Sequence, residues 1–253
     1  MSEEVLVEVR GGVLEVTINR PAQRNAMTKA AAQAIAAAMD RLDAEAELRC
    51  AILTGAGGTF CAGMDLKGFL RGELPVDERG GFGGITTWTP NKPVIAAVDG
   101  YALAGGMELA FACDLIVAHE DAKFGIPEVK RGLVAAGGGA VQLPRMLPRP
   151  LAMELALTGD PMGAVRAHEL GMVNRVTKGP AIEGARDLAK TIVANGPLAI
   201  MATKGIVRDS WLWPVEDINT HQNPYVAHIF TSEDAREGAQ AFAEKRKPEW
   251  KGR

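Results

Sequence analysis

The stretch Lys92-Pro-Val-Ile-Ala-Ala-Val-Asp-Gly-Tyr-Ala-Leu-Ala-Gly-Gly-Met-Glu-Leu-Ala110 decides the fold class of this chain. Its first half is apolar and β-branched, so Val94–Val98 reads as a strand ending at the turn pair Asp99-Gly100. Its second half opens at Gly105-Gly106 and stays apolar to near Cys113, which reads as a helix. Leu115–Ala118 is the next strand, and Lys123–Gly125 is a further short one. Strands that alternate with helices in this way make an α/β protein.

Upstream, Val5–Val9 and Val13–Ile18 flank Gly11-Gly12, as the arms of a hairpin with a two-residue turn. Thr28 is a helix cap before an alanine-rich run to about Ala46. Cys50–Leu53 is a short strand, followed by a loop from Thr54 to Gly68. Downstream, Gln142 to Arg253 has mainly helical periodicity broken by prolines, with Met172–Val176 as one expected strand. No repeat or low-complexity linker interrupts the chain, and Gly80-Gly-Phe-Gly-Gly84 is expected to be a mobile loop.

The composition excludes several classes. The 253 residues are 47% hydrophobic, enough for a full core, but only 5% are aromatic, so aliphatic side chains and alanine must fill it. The net charge of −3 and the lack of a basic stripe argue against nucleic-acid binding. Lys245-Arg246-Lys247, the one basic cluster, reads as a solvated helix end. Cys50, Cys61 and Cys113 have neither metal nor redox spacing, which points to reduced thiols in a cytoplasmic protein. The acidic start, Met1-Ser-Glu-Glu4, lacks the basic character of a signal peptide, and no apolar run is long enough to span a membrane.

Familiar sites are missing too. There is no Gly-x-Gly-x-x-Gly after a strand and no Gly-x-Ser-x-Gly elbow. Gly63 to Gly68 has phosphate-loop glycine spacing without the Lys-Ser/Thr that should follow. His119, His168, His221 and His228 form no ligand motif, so no metal is expected. What remains is Glu108 in an apolar, glycine-opened helix and Glu128 after Phe124-Gly-Ile-Pro127. Either acid could simply complement a helix start. Together, beside the amides of Gly105 and of Gly63-Met64, two carboxylates also suffice for proton transfer next to a carbonyl, with no cofactor.

Taken together the motifs resemble the crotonase (enoyl-CoA hydratase/isomerase) superfamily. The resemblance rests on the opening stretch with Cys113-Asp114, on Asn19-Arg-Pro21 with Asn25-Ala26, and on Phe60-Cys-Ala-Gly-Met-Asp-Leu-Lys67. Phe124-Gly-Ile-Pro-Glu128, Leu157-Thr-Gly159, Gly171-Met-Val-Asn174 and Phe242-Ala-Glu-Lys-Arg246 extend it over essentially the whole chain. It implies a spiral of ββα units over residues 1–195, then a helical region over 196–253 that trimerises, often into a dimer of trimers. It implies an acyl-CoA thioester substrate and no separate cofactor.

The same resemblance assigns residues. The oxyanion-hole amides map to Met64 and Gly105, and the catalytic acids to Glu108 and Glu128. Contacts to substrate and CoA map to Arg24, Ala62, Met64, Asp65, Leu66, Lys67 and Gly106, with Phe242 and Lys245 near the C-terminus. Retention of both acids implies an enoyl-CoA hydratase of the fatty-acid β-oxidation type. Similarity to a carnitinyl-CoA dehydratase subgroup, through Gly81-Phe-Gly-Gly84, Met162-Gly-Ala164 and Trp250-Lys-Gly-Arg253, offers a cationic acyl group as an alternative, with Asp77, Glu78 and Trp88 as candidate cage residues. Double-bond isomerisation and acyl-CoA binding without catalysis are further alternatives. Ala135 stands where the family usually has proline and Ala136 where a glycine helps to position water, which puts hydratase efficiency in question. Phe69, Leu70, Phe82, Ile85 and Trp88 are the expected pocket wall, and Trp211 and Trp213 are expected to pack.

Overall fold

The computed structural model describes residues 4–253. Of the acidic opening segment only Glu4 falls within them. The strands are β1 (Val5–Arg10), β2 (Val13–Ile18), β3 (Cys50–Gly55), β4 (Val76–Asp77), β5 (Gly81–Phe82), β6 (Val94–Val98), β7 (Tyr101–Leu103), β8 (Leu115–His119), β9 (Lys123–Gly125), β10 (Met162–Gly163) and β11 (Arg175–Thr177). The helices are α1 (Lys29–Ala44), α2 (Leu66–Leu70), α3 (Gly105–Ala112), α4 (Gly139–Met146), α5 (Arg149–Thr158), α6 (Ala164–Glu169), α7 (Ala181–Val193), α8 (Pro197–Asp209), α9 (Ile218–Val226) and α10 (Glu233–Glu244).

A six-stranded sheet runs β1-β2-β3-β6-β8-β11, and a three-stranded sheet runs β10-β9-β7. The β1–β2 hairpin is antiparallel, and every later pairing in the large sheet is parallel. The chain repeatedly leaves the large sheet for the small one: β6 leads to β7 and then α3, and β8 leads to β9. This is the expected spiral of strand, strand and helix. Parallel strands are covered on both faces, so β3 and β6 read as continuous apolar runs rather than alternating ones. Leu53, Ala96 and Val98 point into one apolar cluster, while Ile52, Ile95 and Ala97 point into another beneath α7.

The local signals act as their chemistry dictates. Thr28 caps α1, its Oγ1 accepting from the Ala31 amide at 3.1 Å, and the helix ends at Ala44. Asn25 is fully buried and left-handed, a conformation asparagine tolerates. Its amide donates to the carbonyls of Ala56 and Thr59. Asp114 accepts from the Val94 amide at 2.7 Å and from Lys204 at 2.7 Å, pinning the start of β6. Burial pushes the thiols of Cys50 and Cys61 up to about 12, and all three cysteines are buried and unpaired.

Two expectations are corrected. Met172 and Val173 are buried loop residues of the core, and the strand begins only at Arg175, because Asn174 bonds both backbone groups of Ile116 and sets the register there. The Gly80–Gly84 loop is packed rather than open: β5 pairs with β4, and a Cβ on Gly84 would lie 2.3 Å from the Ala32 carbonyl oxygen. Glycine is present because backbones meet there.

After α7 come α8 to α10, and the tail returns to the body of the protein. Trp250 donates its ring N–H to the Ala194 carbonyl at 2.8 Å, and Asp234 accepts from the amides of Lys251 and Gly252. Trp213 stacks on His221 with ring centroids 5.6 Å apart, as expected of a packing residue, whereas Trp211 is exposed. Among the described residues no helix is long and apolar enough to cross a membrane.

Candidate active site

Two turns build the centre of the site. The first is Cys61-Ala-Gly-Met64. Met64 forms a parallel bridge with Met27 in which Gly63 O accepts from Met27 and Asp65 N donates to Met27. In extended backbone the amide of the intervening residue faces the other way, so the Met64 N–H is turned away from Met27. The second turn is Leu103-Ala-Gly105. Ala104 takes φ +52°, a strained conformation for a residue with a Cβ, and is held there as its amide donates to Gly125 O at 2.8 Å. Gly105 and Gly106 then start α3 with amides that have no partner one turn back.

Close approach of the turns depends on glycine. A Cβ on Gly63, which has φ +106°, would sit 2.8 Å from Ala104 Cβ and 3.5 Å from Gly105 N. A Cβ on Gly106 would sit 2.0 Å from the carbonyl oxygen of Cys61. Met64 and Gly105 both line one cavity of about 560 Å³, together with Glu108 and Glu128.

Glu108 lies one turn into α3 and is only 4% exposed. Its Oε1 accepts from the Gly139 amide at 2.9 Å. Burial raises its pKa, and the amides of Gly139 and Gly137 oppose that rise by stabilising the anion. Glu128 sits on the 3₁₀ turn Pro127–Arg131, where Pro127 fixes the entry. Burial pushes its carboxyl up to about 7, its own amide lowers it, and the nearby charge of Glu108 raises it further. Its Oε2 is buried without a hydrogen-bond partner. Two carboxyls with raised affinity for protons, facing one cavity beside two donor amides, can take a proton from one reactant and give one to another.

The other expected contacts separate. Arg24, Ala62 and Leu66 line the cavity that holds the two glutamates. Asp65 and Lys67 line an adjoining polar recess that shares Ala62, Met64 and Leu66 with it. Asp65 caps α2 and accepts from Arg20 at 3.0 Å, so its carboxylate is engaged within the protein. Gly106 packs on Cys61 rather than facing the cavity. Phe242 and Lys245 lie on and just after α10, and neither lines either space within one chain.

The expected wall is largely different. Of the five residues named, only Phe82 lines the cavity. Ile85 is core, Trp88 lies under Arg79, and Phe69 and Leu70 point outward. Leu74, Val76, Thr86, Arg131, Leu133 and Val134 do line it, and no sequence signal marked them. The Glu108–Gly139 bond was also missed, although the run Gly137-Gly-Gly139 was its available signal. A Cβ on Gly137 would sit 2.6 Å from Glu108 Oε2. Ala135 packs in the core and Ala136 lines the cavity, but the amides that hold Glu108 belong to Gly137 and Gly139. Among the described residues no cluster of three or more metal-ligating side chains exists.

Residues 8–253 match the enoyl-CoA hydratase/isomerase family profile. The chain belongs to that family. The crystal structure of an enoyl-CoA hydratase from Mycobacterium marinum is 57% identical, with a TM-score of 0.97 and complete coverage of both chains. A carnitinyl-CoA hydratase from Mycobacterium avium is 42% identical over the whole of both chains, with a TM-score of 0.79. The carnitinyl-CoA dehydratase of Salmonella typhimurium is 44% identical over 262 aligned residues, again covering both chains completely. This family member is thus an enzyme of the crotonase type that adds water to, or removes it from, CoA thioesters.

Proposed function

We propose that the enzyme reversibly hydrates a trans-2-enoyl-CoA to a 3-hydroxyacyl-CoA, as in fatty-acid β-oxidation. The observation that carries this is one cavity lined by Met64 and Gly105, by the buried Glu108, and by the half-buried Glu128, whose Oε2 has no hydrogen-bond partner. The amides of Met64 and Gly105 donate to the thioester oxygen. Glu108, oriented by the Gly139 amide, takes a proton from water as its oxygen bonds to C3. The double-bond electrons move onto the thioester oxygen as an enolate. Glu128 then delivers a proton to C2 as the carbonyl re-forms. No proton is gained or lost overall, and no separate cofactor is needed for the step.

These roles require Glu108 ionised and Glu128 protonated. For Glu128 that state is lost as pH rises through about 7. For Glu108 it is lost as pH falls, at a pH above the usual 4.5 because burial raises its affinity for the proton. Hydration of crotonyl-CoA, followed by loss of the conjugated thioester absorbance, should therefore give a bell-shaped kcat/KM profile with its alkaline limb near pH 7. A rate that keeps rising above pH 8 would reverse the assignment, and absence of turnover would remove it.

The reading includes a homotrimer or a dimer of trimers in the cytoplasm. It is supported by exposed apolar side chains on and around α8 to α10, including Trp211, Leu212, Val215 and Phe230, and by three unpaired thiols. Phe242 and Lys245 then reach CoA only across an interface. A monomeric mass in solution at micromolar protein would exclude this part.

A further inference from the structure

Phe82 touches both halves of the proposed machinery. A Cβ on Gly105, whose amide is one oxyanion donor in the proposed mechanism, would lie 2.1 Å from Phe82 Cζ and 2.3 Å from Phe82 Cε1. A Cβ on Gly137 would lie 2.6 Å from Glu108 Oε2 and 3.1 Å from Phe82 Cβ. The ring tip thus rests on the first residue of α3, and the root of the same side chain lies beside the loop that supports Glu108. Neither glycine has room for a methyl, and Phe82 is a reason in both cases. All four residues line the same cavity.

The backbone that carries the ring is held from outside the cavity. Phe82 pairs with Val76 between β5 and β4, and Gly83 donates its amide to Pro75 O at 2.9 Å. Asp77 Oδ1 closes the turn by accepting from the amides of Arg79 and Gly80 at 3.0 and 2.8 Å. Arg79 ties that turn to the body. Its guanidinium lies 3.4 Å from the centroid of the Trp88 ring and donates to Asp40 of α1 at 2.6 Å. Asp77, Glu78 and Trp88, the candidates for caging a cationic acyl group, line this separate recess, where the protein's own guanidinium covers the ring. Gly83 meets α3, since a Cβ there would lie 2.4 Å from Leu109 Cδ2, and Gly84 meets the backbone of α1. Packed this closely on two helices, the hairpin cannot slide without carrying the ring off Gly105.

The same side chain bears on water. Glu108 is buried, and burial is the first cause of its raised pKa. The other ionisable side chains on the cavity are Arg24, Glu128 and Arg131, and a substitution at Phe82 leaves all of them in place. Removing the ring opens space between Gly105 and Gly137, next to the Glu108 carboxyl, where water can enter.

We propose that Phe82 is a positioning residue of the hydration reaction, a wedge that sets the spacing between the Gly105 amide and the Glu108 carboxyl and keeps water off that carboxyl. This role rests on the enoyl-CoA hydratase reading and adds a residue to its machinery. Phe82 acts through Gly105 and Glu108, so its contribution is the same for a short acyl chain as for a longer one.

The test compares Phe82→Ala and Phe82→Leu with the parent in hydration of crotonyl-CoA and trans-2-hexenoyl-CoA across pH. A misplacement of roughly 1 Å at a reacting centre can cost about 10²-fold. Phe82→Ala should lower kcat at least about tenfold, by the same factor for both substrates, with KM changed less than about threefold. Water at Glu108 should also move the acid limb of the kcat/KM profile to lower pH, because the carboxyl loses part of the burial that raises its pKa. Leucine refills part of the space but has no ring tip for Gly105, so Phe82→Leu should fall between alanine and the parent in both readouts. A rise in KM alone, a loss that grows with chain length, or an unmoved acid limb overturns the wedge. If Phe82→Ala does not fold, Phe82→Leu decides alone: parental kcat and acid limb overturn the proposal, and a shared loss of kcat with an acidward limb supports it. Parent activity on both substrates with insensitive variants removes the wedge and keeps the hydratase. No turnover by the parent removes both.

Discussion

Glu108→Gln and Glu128→Gln are each expected to lower kcat for crotonyl-CoA hydration by about three orders of magnitude. A positioned acid or base contributes roughly 10²- to 10⁴-fold, and the proposed mechanism uses one of each. Glutamine keeps the volume of glutamate and still accepts from the Gly139 amide, so Glu108→Gln should hold its geometry. The loss should therefore fall on kcat with little change in KM. Near-normal turnover by either variant would sink the two-acid mechanism.

Glu128→Gln carries a second, opposite expectation for stability. The folded carboxyl binds its proton more tightly than the unfolded one, with a pKa of about 7 against 4.5. The charged form is thus disfavoured by folding. That penalty is absent below about pH 4.5, grows as pH rises, and is complete above about 7. Glutamine removes it, so the variant should melt at a higher temperature than the parent at pH 8 and not at pH 4. Equal or lower melting temperatures at pH 8 would mean that the carboxyl is not strained by burial. An acid that costs stability where the enzyme works is a mark of a functional site.

The second large effect is expected from Gly106→Ala. The added methyl would lie 2.0 Å from the Cys61 carbonyl oxygen, far inside contact distance. That oxygen is backbone, and it also accepts from the Leu103 amide at 3.0 Å, so no rotamer relieves the clash. The start of α3 has to move away from the Cys61–Met64 turn. Such a shift separates the Gly105 amide from the Met64 amide while leaving both carboxyl groups in the sequence. Losing one oxyanion donor costs about 3–4 kcal/mol of transition-state stabilisation, equivalent to a 10²- to 10³-fold fall in kcat. The strain should also lower the thermal midpoint by several degrees. Cys61→Ala should not restore activity in the Gly106→Ala background, because the closest contact is with the Cys61 carbonyl oxygen and alanine keeps the Cβ that lies 3.0 Å away. Rescue by Cys61→Ala, or unchanged kcat, would show that the turns are not held together in this way.

How much of this was legible in the sequence depends on the range of the interaction involved. Thr28, Val94–Val98, Gly105-Gly106 and Leu115–Ala118 carry their signals within a few residues, and each appears where its pattern places it. The strand expected over Met172–Val176 appears only from Arg175, because Asn174 bonds across to Ile116 and sets the register there. The pocket wall was read from residues near the glycine loop in sequence. The molecule instead draws it from Leu74 and Val76 on one side and Leu133 and Val134 on the other. Ile85 and Trp88, close to Phe82 in sequence, turn into the core and under Arg79.

By itself, then, the sequence determined the α/β class and the family, and it singled out Glu108 and Glu128 as candidates, because capping, periodicity and glycine placement act locally and the motifs repeat a known pattern. Only the tertiary structure decided that Glu108 rests on the Gly139 amide, that burial pushes the Glu128 carboxyl up to about 7, and which aliphatic side chains line the cavity the two acids share. Those properties depend on distances between segments remote in the chain, and burial and electrostatics exist only once such segments pack together.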